Sequence, residues 1–259
     1  MNEEKELDNN AYRTVRVAPS SVPPPLPVAR TAVRPPLEPL GADTSFLAVA
    51  DAVLKCPGRI LYEMLHCNHE VRIRLLCLVL ACSAAYGLTM GSFSGGMQLW
   101  AVPLKSACVV LFSALLCLPS LYILIALGGG DRNLTQVAGI LLQSLALAGL
   151  LLLGFAPIAW IFAQSTSSIG FMGAMHLAFW GASLAVGLRL MFRAVDDRRS
   201  GQATGLLVVW CIVFCAVLLQ MATVFRPLLG PADCVMESGK KFFMVNLVET
   251  MDEKPPRRR

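Results

Sequence analysis

Four long stretches of the chain contain no aspartate, glutamate, lysine or arginine, and they constrain the fold more than any other feature. An α-helix needs about 20 apolar residues to cross the hydrocarbon layer of a membrane, because each residue adds about 1.5 Å. The stretches are 75–104, 106–130, 133–188 and 200–225. Each is long enough for one crossing, and 133–188 is long enough for two with a turn at the polar residues 164–168. The sequence therefore predicts five spans, over about 75–93, 104–127, 137–163, 171–192 and 204–225.

The composition agrees with a membrane protein. Hydrophobic residues make up 56% of the 259 residues, charged residues 15%, and the mean hydropathy is +0.62. A soluble domain carries about 25% charged residues, so a soluble enzyme, a disulfide-rich secreted protein and a DNA-binding domain are disfavoured. The runs do not alternate apolar with polar residues as barrel strands do. We expect an all-α, polytopic transmembrane bundle whose short connections pack neighbouring helices antiparallel.

The segments around the spans differ in character. Residues 1–44 hold eight of the sixteen prolines and predict a disordered, proline-rich tail. Residues 45–74 predict a juxtamembrane amphipathic segment, in which Ser45 caps a first helix and Pro57-Gly58 separates it from a second. We expect this segment to lie in the lipid interface; the alternative is a helix packed on the protein itself. The spans form a domain over 75–225, and 226–259 is a C-terminal tail.

The basic residues near the spans predict the topology. With the N-terminus in the cytoplasm, the inside holds eight basic residues and the outside holds four. This bias favours a cytoplasmic N-terminus and an external C-terminus. The three terminal arginines, 257–259, weigh against an external C-terminus. The inside residues are Lys55, Arg59, Arg72, Arg74, Arg132, Arg193, Arg198 and Arg199, and the outside residues are Lys105, Arg226, Lys240 and Lys241.

Catalytic patterns are missing from the predicted spans. No span core contains an aspartate or glutamate, and neither the zinc-protease motif nor the phosphate-binding glycine loop occurs. We therefore expect no enzymatic activity, no cofactor, no metal site and no nucleic-acid partner. Three polar residues stand out among those within the spans, where such groups are expensive. His176 is either a hydrogen-bonded packing residue or a proton carrier or ligand, and Gln143 and Gln220 either join helices or contact a substrate.

Small residues recur every four positions in two spans. Gly87 and Gly91 do so in the first span. Residues at this spacing share one face of a helix and allow two helix backbones to approach closely. We expect both faces to form helix–helix contacts, within the chain or between copies. The fourth span carries the longer series, Gly170, Ala174, Ala178 and Ala182.

Several short segments resemble the bacterial Yip1-like membrane proteins. These are residues 54–63 (LKCPGRILYE), the Tyr86-Gly87-Leu88 sequence, residues 128–136 beginning with three glycines, and Ala156-Pro157-Ile158. The resemblance covers about residues 50–225. It implies a non-enzymatic integral membrane protein. We expect a five-span protein of the bacterial inner membrane that acts as a scaffold and binds lipid or partner membrane proteins or self-associates. A small transporter or transporter subunit is the alternative, and a lipid-modifying enzyme is a third.

Overall fold

The computed structural model describes residues 38–41, 44–94, 96–166, 168–195 and 201–225, which belong to one compact unit. The regular structure of these residues is entirely helical, in agreement with the predicted all-α fold. Five helices, α3 to α7, are long and apolar enough to cross a membrane. The predicted C-terminal tail and nearly all of the proline-rich tail lie outside the described residues. The helices are α1 (Phe46–Lys55), α2 (Pro57–Leu65), α3 (His69–Ser94), α4 (Gln98–Leu127), α5 (Leu134–Ser165), α6 (Ile169–Val195) and α7 (Gly201–Val224).

The membrane helices begin earlier than the charge-free stretches predict. Helix α3 starts at His69, six residues before the predicted span (75 minus 69), so the predicted boundary between 74 and 75 falls inside it. Helix α4 starts at Gln98 and contains Pro103, which lies just before the predicted span over 104–127. A helix continues into the polar layer outside the hydrocarbon, where charged side chains are solvated. Absence of charge therefore marks the apolar part of a helix and not its ends.

Helix α3 lies between α4 and α5 and packs on both. Helix α6 packs on α5, and α7 packs on α4. The indole of Trp210 on α7 donates to the Cys117 carbonyl of α4 at 3.2 Å and to Ser120 Oγ at 3.1 Å. The consecutive helices α6 and α7 touch only slightly. The expectation that sequence neighbours pack together is therefore wrong for this pair, because each helix has a larger partner elsewhere in the bundle.

Helices α1 and α2 form a helical cap, residues 46–65, on one end of the bundle. Ser45 Oγ accepts a hydrogen bond from the Ala48 amide at 3.3 Å, which confirms the predicted N-cap. Pro57 occupies the first position of α2, where its missing N–H is not needed. The apolar face of the cap packs on α3 and α5, with Val53 and Met64 fully buried. The inner face of the cap therefore agrees with the second of the two expectations for residues 45–74, a helix packed on the protein itself.

The outer face of the cap still carries apolar side chains. Phe46, Leu47 and Leu54 are exposed, and Leu47 is 77% exposed. They lie beside the exposed ion pair of Lys55 with Asp51, whose nitrogen and oxygen are 2.7 Å apart. Asp51 raises the pKa of Lys55, first through this hydrogen bond and then through its charge. Contact of this outer face with the lipid interface stays a prediction.

Exposed aromatic residues outline the membrane-crossing part of α4. Trp100 and Tyr122 both face away from the bundle. They are 22 residues apart (122 minus 100), which is about 33 Å along a helix. Aromatic residues concentrate at the two boundaries of a hydrocarbon layer about 30 Å thick. Helix α5 has 32 residues, about 48 Å, so its first turns extend beyond such a layer into the region that the helical cap covers.

Candidate functional site

The glycines of the first span lie where α3 and α4 approach most closely. A methyl group on Gly87 would lie 2.7 Å from the Pro103 Cα and would also collide with Ser106 Oγ. A methyl group on Gly91 would lie 2.9 Å from the Gln98 carbonyl oxygen. Beside Gly87, Ser106 Oγ donates to the Ser83 carbonyl at 2.7 Å. Both glycines therefore sit in a helix–helix contact within the chain.

The small residues of the fourth span do not form a helix–helix contact within the described part of the chain. Ala174, Ala178 and Ala182 are exposed on the outside of the bundle, and Gly170 is partly exposed. The close approach of α6 to α5 instead uses Gly187, which the sequence did not single out. A methyl group there would collide with the Ser144 carbonyl oxygen and lie 3.0 Å from Ala148 Cβ. Contact between copies through the exposed alanines stays a prediction.

His176 is paired with a tyrosine inside the bundle. The hydroxyl of Tyr86 on α3 lies 2.8 Å from His176 Nδ1 on α6, and the two rings meet edge to face with centroids 5.6 Å apart. Tyr86 is fully buried and His176 is 2% exposed. The second ring nitrogen of His176, Nε2, has no hydrogen-bond partner in the part of the chain that the structure describes. The pair joins two helices that both pack on α5, as expected for a packing histidine in an apolar setting.

Gln143 connects the bundle to the helical cap. Its Nε2 donates to the Pro57 carbonyl at 2.6 Å, and seven residues earlier Gln136 Nε2 donates to the Leu65 carbonyl at 2.7 Å. Between these two bonds, Met64 lies against Gly139, where a methyl group would be 2.9 Å from Met64 Cβ. Helix α2 thus runs antiparallel along the first turns of α5. The two glutamines hold it there through backbone carbonyls.

Gln220, the third polar residue predicted within a span, lies near the end of α7. Its Oε1 atom is buried and accepts no hydrogen bond from a described residue. The Thr223 hydroxyl donates to its backbone carbonyl at 2.7 Å. The described part of the chain therefore gives this side chain no interhelical partner.

The sequence analysis missed a buried lysine. Lys105 was counted among the basic residues at the outer side of the membrane, but it lies inside α4 and is only 4% exposed. Its Nζ donates to Gln98 Oε1 at 3.2 Å, and Gln98 is 1% exposed. The two residues are seven positions apart, so they share one face of the helix. This spacing could have revealed the pair only if the predicted helix had begun before residue 104.

A buried carboxylate organises the cap and the chain before it. Glu63 is 8% exposed and accepts hydrogen bonds from the Leu40 amide at 3.0 Å and from Asn68 Nδ2 at 2.8 Å. Arg59 and Glu38 form a second link, with a nitrogen–oxygen distance of 3.0 Å. The chain that leads into α1 is therefore fastened to α2.

Metal-capable side chains near the cap do not converge. His66 Nδ1 lies 2.8 Å from the Tyr62 carbonyl oxygen, and Cys67 Sγ lies 3.6 Å from Thr135 Oγ1. Among the described residues, no three histidine, cysteine or acidic side chains are placed to hold a metal ion. The eight cysteines among the described residues are all free thiols.

Comparison of the chain with protein-family models, with curated proteins and with solved structures finds no match in any of the three. The site is therefore interpreted from its own geometry. That geometry consists of two features: the Tyr86–His176 pair, which joins α3 and α6 inside the bundle, and a cap held on α5 by side-chain hydrogen bonds.

Proposed function

We propose that this multi-pass membrane protein is a non-enzymatic scaffold of the Yip1-like type, which binds lipid or partner membrane proteins at the helical cap. The cytoplasmic membrane of a bacterium is its proposed location, with the cap and the proline-rich N-terminal segment in the cytoplasm. The observation that carries this proposal is the fixed attachment of the cap to α5 by Gln143 and Gln136. A platform held in this way presents Leu47 and Leu54 outward in one geometry.

The interior of the bundle supports a scaffold more than a transporter. The cavity where the five spans meet has a volume of about 20 Å³ and a mostly apolar lining. A cavity of about 10–15 Å³ already holds one water molecule, so this one is far too small for a solute. Lys105 is the observation that favours transport, because ionisable residues inside spans often mark ion pathways. Its amine, however, is turned to Gln98 of the same helix.

The scaffold proposal is tested by photo-crosslinking in native membranes. A photoreactive amino acid replaces Leu47 on the cap or, as the matched control, Leu116 on α4, which is 62% exposed in the middle of a span. We expect the same protein adducts in repeated experiments at Leu47 and only lipid adducts at Leu116. Failure to recover any recurrent protein or lipid adduct at Leu47 would refute the cap as a binding surface.

The proposed orientation is tested with a membrane-impermeant maleimide. Cys67 is exposed at the cap end, and Met97 is 61% exposed at the other end of α3 and α4. With the cap in the cytoplasm, we expect Cys67 to react in inverted vesicles and a Met97→Cys variant to gain reactivity in intact spheroplasts. The opposite pattern would reverse the topology.

A further inference from the structure

All five spans contribute to one small cavity in the middle of the bundle. Its lining includes Ser83 from α3, Val110 from α4, Ala148 from α5, Ser183 from α6 and Leu218 from α7. Its volume of about 20 Å³ exceeds the 10–15 Å³ that one water molecule requires. The cavity therefore has room for one small molecule. The hydroxyls of its two serines favour a molecule that forms hydrogen bonds.

Ser183 brings an unsatisfied hydroxyl to this cavity. Its side chain is 3% exposed, and Ser183 Oγ has no hydrogen-bond partner among the described residues. A serine in a helix usually donates to the carbonyl three or four residues before it, as Ser144 does to the Ile140 carbonyl at 2.9 Å. Because a buried hydroxyl without a partner is unfavourable, a hydrogen-bonding molecule inside the cavity would stabilise Ser183.

We propose that the cavity binds one water molecule, held by the hydroxyls of Ser183 and Ser83. Apolar cavities of this size stay dry, whereas a water molecule with two or more polar partners is retained. The two serines supply these partners from α6 and α3, whose backbones are not closely packed on each other. The water would link these helices at a level different from that of the Tyr86–His176 pair.

Water-edited solid-state NMR of the full chain in lipid bilayers detects such a water directly. Ser113 is the matched control, because it is fully buried, its Oγ has no partner within the described helices, and it does not line the cavity. We expect magnetisation to pass from water to Ser183 within a few milliseconds of mixing, and not to Ser113 on that timescale. The absence of transfer to Ser183 would overturn the proposal.

A pair of variants tests whether the Ser183 hydroxyl binds the water. Ser183→Ala removes a hydrogen-bond partner of the water, so we expect the melting temperature in detergent to fall by about 2–4 °C. Ser113→Ala removes only an unsatisfied hydroxyl, so its melting temperature should be unchanged or higher. If Ser183→Ala is as stable as Ser113→Ala, its hydroxyl binds nothing and the proposal is wrong.

Discussion

A single methyl group at Gly87 should separate α3 from α4. In Gly87→Ala the new Cβ would lie 2.7 Å from the Pro103 Cα and 3.0 Å from the Val102 carbonyl oxygen. Both are backbone atoms, which cannot rotate away. Carbon atoms rest at about 3.5 Å or more, so α4 must move by about 0.8 Å (3.5 minus 2.7). The move would stretch the 2.7 Å hydrogen bond from Ser106 Oγ to the Ser83 carbonyl.

The expected loss of stability follows from these two contacts. Overpacking a well-packed contact costs about 1–3 kcal/mol. A weakened hydrogen bond between membrane helices adds about 0.6 kcal/mol or more. Alanine regains about 0.5–1 kcal/mol over glycine within a helix. The free energy of unfolding of Gly87→Ala should therefore fall by about 1–3 kcal/mol.

The matched control is Gly154→Ala on α5, where a methyl group would meet nothing within 4 Å. Both variants gain the same helix propensity, so their difference isolates the α3–α4 contact. Unfolding of each variant by sodium dodecyl sulfate in mixed micelles, followed by circular dichroism, measures this difference. Equal unfolding midpoints for the two variants would show that α3 and α4 are not in close backbone contact at Gly87, and the reasoning would fail.

Two further substitutions test the polar contacts. Tyr86→Phe should lower the free energy of unfolding by about 1–2 kcal/mol in the same micelle assay, because it removes the hydrogen bond to His176 and leaves Nδ1 unpartnered. Gln143→Leu removes the bond to the Pro57 carbonyl, so the helical cap should open about five times more often, as a loss of about 1 kcal/mol implies. Limited trypsin digestion after the exposed Lys55 measures this opening as a faster cleavage rate.

Each substitution has a control of the same chemistry. Tyr122→Phe changes an exposed tyrosine and should leave the unfolding midpoint unaltered. Gln164→Leu changes an exposed glutamine at the opposite end of α5 and should leave the cleavage rate unaltered. If Tyr86→Phe is as stable as Tyr122→Phe, the buried pair contributes nothing. If Gln143→Leu is cleaved no faster than Gln164→Leu, the glutamine does not hold the cap.

Features that depend on local sequence were predictable. The five spans follow from apolar length, since any stretch of about 20 apolar residues meets the requirement of the hydrocarbon layer wherever it lies in the chain. The cap of α1 at Ser45 and the break before Pro57 follow from the hydrogen-bonding capacity of one residue and its immediate neighbours. These are one-dimensional properties, and the structure agrees with them.

The partners of the polar side chains were decided by the tertiary structure alone. Tyr86 and His176 are 90 residues apart, and Gln143 and Pro57 are 86 residues apart, so no local pattern couples them. Which glycine of α6 meets α5 likewise depends on how the helix is rotated against its neighbour, and that rotation places Gly187 inside and Ala178 outside. Apolar length thus determined how many helices cross the membrane. Which residues meet was determined only by the packing of the helices, because that packing depends on how well their surfaces fit together.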